Sequence, residues 1–171
     1  MHNAQASIRI EPAQKSQAPL ILYFIKQLAE YEKLLHKVTA DEARIEESLF
    51  GEKPCAEVVI AYLSDQPAGL AIFFSTYSTF LGRPGIYLED LFVEPKLRGH
   101  GVGKALLVHL AKLVRERGGA RLEWSVLNWN EPAIEFYKSL GATAQDEWTM
   151  YRVTGENLEK LAAMPIIRVN D

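Results

Sequence analysis

The sequence is poor in cysteine: Cys55 is the only one in 171 residues. A lone thiol cannot close an intrachain disulfide, which excludes a disulfide-stapled secreted scaffold and favours a reducing compartment. No apolar run approaches the roughly 18 residues needed to cross a bilayer. The start, Met1-His2-Asn3-Ala4-Gln5, lacks a basic region followed by an apolar one. A cytoplasmic location is the expectation. Clusters of His and Cys at metal-ligand spacing are missing, so no metal is expected. Repeats, linkers and low-complexity tracts are also absent. An excess of basic charge is missing too: the formal net charge is -3. That argues against non-specific nucleic-acid binding and mildly favours a cationic small partner.

What is present is an ordinary globular composition, 48% hydrophobic and 24% charged. One domain over residues 1–171 can bury a full core, whereas two halves would each be marginal. Residues 1–6 are polar and read as flexible. Ser7–Glu11 alternates as a first strand closed by Pro12. From Pro19 to about Leu35, apolar residues recur at spacings of three and four, which predicts a helix. Thr39-Ala-Asp-Glu42 fits a capping box for a second helix that ends at Gly51. Ala56–Leu63 and Gly69–Thr76 read as a hairpin about the Ser64–Pro67 turn. Ile86–Val93 has the longer apolar run of a strand covered on both faces. A helix from about Gly101 to Arg117 stops at Gly118-Gly119. Leu122–Val126 is the next strand. Asn130-Glu131-Pro132 opens another helix that closes at Gly141, with asparagine at the cap and proline just inside. Met150–Val153 is a last strand candidate and Glu156–Met164 a terminal helix. The fold class is mixed α/β.

The chain is organised around Tyr87–Gly103. A strand carrying adjacent carboxylates ends at Pro95, and Arg98-Gly-His-Gly-Val-Gly103 then leads into a helix. Glycines there let exposed amides converge on an anion at a helix N-terminus, and Arg98 adds a charged fork. The bland alternative is a glycine-rich turn without a ligand. A P-loop is excluded, because Arg98 and Ala105 stand where it needs glycine and Ser or Thr. The dinucleotide fingerprint is excluded by Lys104, where its last glycine belongs.

Arg98-x-x-Gly101-x-Gly103 after Leu-Glu-Asp-Leu-Phe-Val93 resembles the acetyl-CoA pyrophosphate loop of the GNAT N-acetyltransferases. Asn130-Glu-Pro-Ala-Ile-Glu-Phe-Tyr137-Lys-Ser-Leu-Gly141 resembles that superfamily's second signature. Tyr31-Glu32, Glu89-Asp90 and Trp129-Asn130-Glu131-Pro132 are similar to the spermidine/spermine and thialysine branch, over about Ile8 to Ala163. The resemblance implies a GNAT fold: a central twisted, mixed and mostly antiparallel sheet flanked by helices. It implies acetyl-CoA as cofactor, held by Arg98, Gly99, His100, Gly101, Val102, Gly103 and Lys104, by backbone amides of Leu91, Phe92 and Val93, and by Asn130, Glu131, Pro132, Ala133 and Tyr137. It implies Glu89 as general base through water and Tyr137 as general acid toward the CoA sulfur. Tyr31, Glu32, Glu89, Asp90, Glu123, Trp124 and Ser125 match acceptor-side positions. Related enzymes are homodimers, and residues 164–171 form an extension with Pro165-Ile166-Ile167 that could pack across such an interface.

The chemistry sets its own demands: a neutral amine, a stabilised oxyanion and a proton for the thiolate. An ammonium of pKa near 10.4 is rarely neutral at pH 7, a deficit of roughly 4–5 kcal/mol. Glu89 and Asp90, adjacent in a strand, are expected on opposite faces and so in separate roles. Each residue also has an ordinary reading: Glu89 as an edge ion pair, Tyr137 as a half-buried helix tyrosine, Asn130 as a cap, Tyr31 and Trp124 as core. Tyr77-Ser78-Thr79-Phe80 departs from the polyamine enzymes, which carry an aspartate and a tryptophan there. A small primary amine or amino acid of the lysine-like class is therefore favoured over a long polyamine, with small diamines open. The alternatives are acetylation of a protein lysine or N-terminus, and a non-catalytic acyl-CoA-binding regulatory module.

Overall fold

The computed structural model describes residues 7–166. The expectations for residues 1–6 and for the extension from residue 167 onward lie outside the described residues. The chain divides into two compact units, Met1–Ser125 and Val126–Asp171.

The first unit is built on a five-stranded sheet in sequence order. Its strands are β1 (Ile8–Pro12), β2 (Glu57–Leu63), β3 (Gln66–Ser78), β4 (Arg83–Val93) and β5 (Arg121–Trp124). The first four pair antiparallel, and β5 lies parallel to β4. A parallel neighbour requires a crossover. Helix α3 (Val102–Glu116) supplies it, burying Val102, Leu106, Leu107, Leu110 and Val114. The β2–β3 turn places Ser64 and Asp65 at φ 48° and 65°, the left-handed pair that matches the twist of a tight hairpin.

Helices α1 (Ala18–Tyr31) and α2 (Glu42–Phe50) cover one face of the sheet. Ile21, Phe24 and Ile45 bury there with Val58, Ile60, Leu70, Ile72 and Phe92. Each such side chain contributes about 1.5–3 kcal/mol by leaving water. The Phe24 and Phe92 rings, 5.7 Å apart, fasten α1 to the middle of the sheet. The intervening sheet residues, Val59, Ala61, Ala71, Phe73 and Leu88, are buried on the other face, where α3 packs. Arg117, at the end of α3, grips Glu57 of β2 with two hydrogen bonds of 2.7 Å.

Three expectations need correction. The first helix stops at Tyr31 rather than Leu35, because Lys33 turns left-handed at φ 62°. The Lys33 amide then donates to Glu30 and that of Leu34 to Ala29, which closes the last turn. The second helix is capped by Asp41, not Thr39: Asp41 accepts from the Arg44 amide at 2.8 Å. Met150–Val153 is not a strand. A strand needs a hydrogen-bonded neighbour, and the second unit contains none among the described residues. The described residues of that unit form α4 (Glu131–Ser139), α5 (Glu156–Ala162) and irregular chain.

Replacing Asp41 with alanine removes the partner of an orphan amide. Urea denaturation of Asp41→Ala is expected to show a loss of about 1 kcal/mol, while Thr39→Ala stays close to the parent.

Candidate active site

Strand β4 carries an irregularity at the position where chemistry is expected. Leu88 faces Phe73 and Asp90 faces Ile72, so Glu89 is an extra residue without a partner on β3. This is a β-bulge. On either side of it the pleat is regular but out of phase. Tyr87 pairs with Phe74, and Asp90 with Ile72 on the face that α1 covers. Counting from Tyr87 puts Glu89 on that face as well. The bulge therefore brings Glu89 and Asp90 to one face, against the strict alternation expected from the sequence.

Helix α1 ends beside them. Its cap residue Glu32 is half-buried, and burial raises its carboxyl above the usual range. Asp90 is pushed up to about 6, by burial first and then by the negative charges of Glu89 and Glu32. Asp90 and Glu32 thus lie in a partly dry region, with the exposed Glu89 beside them. Glu89 and Glu32 disfavour ionisation of Asp90, and a cation placed beside it relieves that cost.

Strand β5 extends the same face. In the parallel register Tyr87 lies beside Glu123 and Gly85 beside Arg121. The Tyr87 hydroxyl and Ser125 hydroxyl are 2.6 Å apart, and the Phe74 and Tyr87 rings stack at 5.3 Å. Arg121 pairs with Glu123 at 2.8 Å. The structure therefore gathers Glu32, Glu89, Asp90, Glu123 and Ser125. Trp124 pairs with Leu88 and so falls on the other face of the sheet. Tyr87 and Arg121 were missed by sequence reasoning. Their signal is the two-residue spacing that links Gly85 and Tyr87 to Glu89, and Arg121 to Glu123 and Ser125.

The loop after β4 has the form an anion needs. Gly99 and Gly101 have φ of 80° and 84°, values that L side chains rarely adopt. A Cβ on Gly101 would meet nothing nearer than Ile8 Cδ1 at 3.8 Å, so backbone conformation rather than space calls for glycine there. Gly101 caps α3, so the first amides of the helix lack carbonyl partners within it. His100 Nδ1 lies 3.0 Å from the Arg98 carbonyl and 3.3 Å from that of Leu97. Both partners are acceptors, so Nδ1 carries the proton. Arg98 donates from Nε to the Val93 carbonyl at 3.1 Å, and its guanidinium lies 5.0 Å from the centre of the Tyr31 ring. The loop is thereby tied to the end of α1. Strand β5 pairs with β4 only as far as Leu88. Beyond it, the β4 edge holding Leu91, Phe92 and Val93 has no strand neighbour on that side among the described residues. An open strand edge running into a helix N-terminus suits an extended amide-bearing arm that ends in phosphates, which fits the coenzyme.

In the second unit, Asn130 is buried and accepts from the Ala133 amide at 3.4 Å, capping α4 with Glu131 and Pro132 in its first turn. Tyr137 lies on that helix, with its ring 5.5 Å from that of Phe136.

The carboxyl cluster has a stability signature. A carboxyl raised in the folded state costs stability once it ionises, so the folded form is favoured below about pH 4 and loses that advantage as pH rises through about 6. Asp90→Asn is therefore expected to be more stable than the parent at pH 8, by up to about 3 kcal/mol. The gain should vanish near pH 4, as read by urea unfolding at the two pH values.

Residues 22–142 match the model of the acetyltransferase (GNAT) family. The thialysine N-epsilon-acetyltransferase of Sus scrofa is 34% identical over 168 residues, covering 92% of this chain and 98% of that protein. The L-ornithine N5-acetyltransferase of Arabidopsis thaliana is 29% identical, covering 92% and 89%. Among solved structures, an integron cassette protein from the mobile metagenome of V. cholerae superposes with a TM-score of 0.78 at 30% identity, covering 92% of this chain and 99% of that one. An aminoglycoside acetyltransferase from a soil metagenomic sample shares the fold, with a TM-score of 0.71 at 19% identity. With the family model spanning most of its length and relatives aligned nearly end to end, the chain belongs to the GNAT family of acetyltransferases.

Proposed function

We propose that this protein transfers the acetyl group of acetyl-CoA to the side-chain amine of a small lysine-like amino acid, by direct transfer in a ternary complex. The observation that carries the reading is the bulge at Glu89, which sets two carboxylates side by side next to Glu32. Relatives named for thialysine and ornithine acetylation support the acceptor class. The bound coenzyme supplies an activated thioester, and the chain supplies the rest. Gly99 to Lys104 and the Leu91–Val93 edge hold the coenzyme, together with Arg98 and with Asn130 to Ala133 of the second signature. Asp90 and Glu32 attract the ammonium. Glu89, exposed at the bulge, takes its proton through water, which separates deprotonation from the ion pair that would otherwise keep the amine charged. Tyr137 gives a proton to the departing thiolate. The whole chain acts as one catalytic domain, as a cytoplasmic homodimer.

The test is thiol release from acetyl-CoA with thialysine, lysine, ornithine, putrescine, spermidine and a lysine peptide. Free amino acids are expected to be the better acceptors, and turnover confined to the peptide rejects the reading. Glu89→Gln should lower kcat by about a hundredfold or more, and Tyr137→Phe by at least about tenfold. Calorimetry should still register acetyl-CoA binding in both. Unchanged kcat in the pair removes the assigned roles.

A further inference from the structure

The face that holds the carboxyl cluster also holds an ion pair that the acceptor chemistry above does not use. Arg121 and Glu123 stand two residues apart on β5, beside Gly85 and Tyr87 of β4. Their side chains keep 40% and 39% of their exposure, so a small ligand can reach both. Arg121 Nε lies 2.8 Å from Glu123 Oε2, yet the atom is shut from solvent and makes no aligned hydrogen bond. A second contact, from Nη2 to the Tyr77 carbonyl, is long at 3.4 Å. Nη1 makes no hydrogen bond among the described residues and is not shut from solvent, so the guanidinium keeps capacity on its exposed side. Gly85 gives it a bed: a Cβ there would come within 2.9 Å of Arg121 Cγ and 2.8 Å of Thr76 Oγ1. A bare strand position lets the arginine stem lie across β4 instead of standing out into water.

We infer that Arg121 and Glu123 read the zwitterionic head of an amino-acid acceptor, Arg121 taking its α-carboxylate and Glu123 its α-ammonium. The inference rests on the reading of Glu89 as the place where the side-chain amine reacts. The spacing suits it. Glu123 lies level with Tyr87, about 7 Å along the strand from Glu89, and Arg121 lies about 13 Å away. Bonds of about 1.5 Å in a zigzag put the head of a lysine-length amino acid about 6–7 Å from its terminal nitrogen. Glu123 covers the head position, and Arg121 reaches it by turning its guanidinium off the long Tyr77 contact toward Tyr87. One positive and one negative group in fixed order match a head with one negative and one positive group. A diamine meets the same arginine as a like charge, so the pair also discourages acceptors that lack a carboxylate.

Initial-rate kinetics with L-lysine, lysinamide and the diamine lacking the carboxylate test the assignment. In the unaltered protein, kcat/KM is expected to fall roughly tenfold or more from lysine to lysinamide, through KM. In Arg121→Gln that gap closes, and kcat/KM for the diamine rises because Glu123 is released. A gap smaller than about threefold in the unaltered protein, or one that persists in Arg121→Gln, overturns the assignment. Should Arg121→Gln fail to bind acetyl-CoA in calorimetry, the ratio of lysine to lysinamide turnover in the unaltered protein is decisive by itself. No transfer to any of the three sinks the functional reading, and the role of this pair with it. A gap of the wrong size with transfer intact sinks the pair only.

Discussion

The site depends on one inserted residue. A strand of alternating side chains can offer a given face only every second residue, so two neighbouring carboxylates would ordinarily serve opposite sides of the sheet. The bulge at Glu89 suspends that rule for one step. It falls where β5 parts from β4, after Leu88. One irregularity thus gathers charge on one face at the point where the other edge of the strand loses its neighbour. Acceptor chemistry and coenzyme chemistry can then share a strand without competing for the same atoms.

The rest of the first unit keeps that point rigid. Phe24 against Phe92 sets the height of α1, which brings Glu32 to Asp90. Arg98 over Tyr31 joins the glycine loop to the same helix end. Burial and like charge hold Asp90 far from its usual carboxyl range. This is a local cost in stability, kept at the place where a cation is to be received.

How much of this is legible in the sequence varies by feature, and the reason is physical each time. Helices α3 and α4 end on Gly118 and Gly141, both at positive φ, and glycine announces such endings. The same ending on α1 uses Lys33, which carries no such announcement, so the apolar periodicity runs on past the true helix end. The cap of α2 is ambiguous because Thr39 and Asp41 both suit a cap, and only the chain path decides between them. The glycine loop, the asparagine cap and the carboxylate strand are readable because their chemistry is local. The bulge is not, since register belongs to two strands and one strand does not contain it. Met150–Val153 has the composition of a strand and lacks a neighbour to make it one.

The double hydrogen bond from Arg117 to Glu57 bolts the tail of α3 to the sheet. Its head is anchored as well, by Val102 and Leu106, which are shut from solvent in the core. A rod fastened at both ends neither slides nor tilts. Cargo seated on its first turn would therefore meet amides whose aim is set before it arrives.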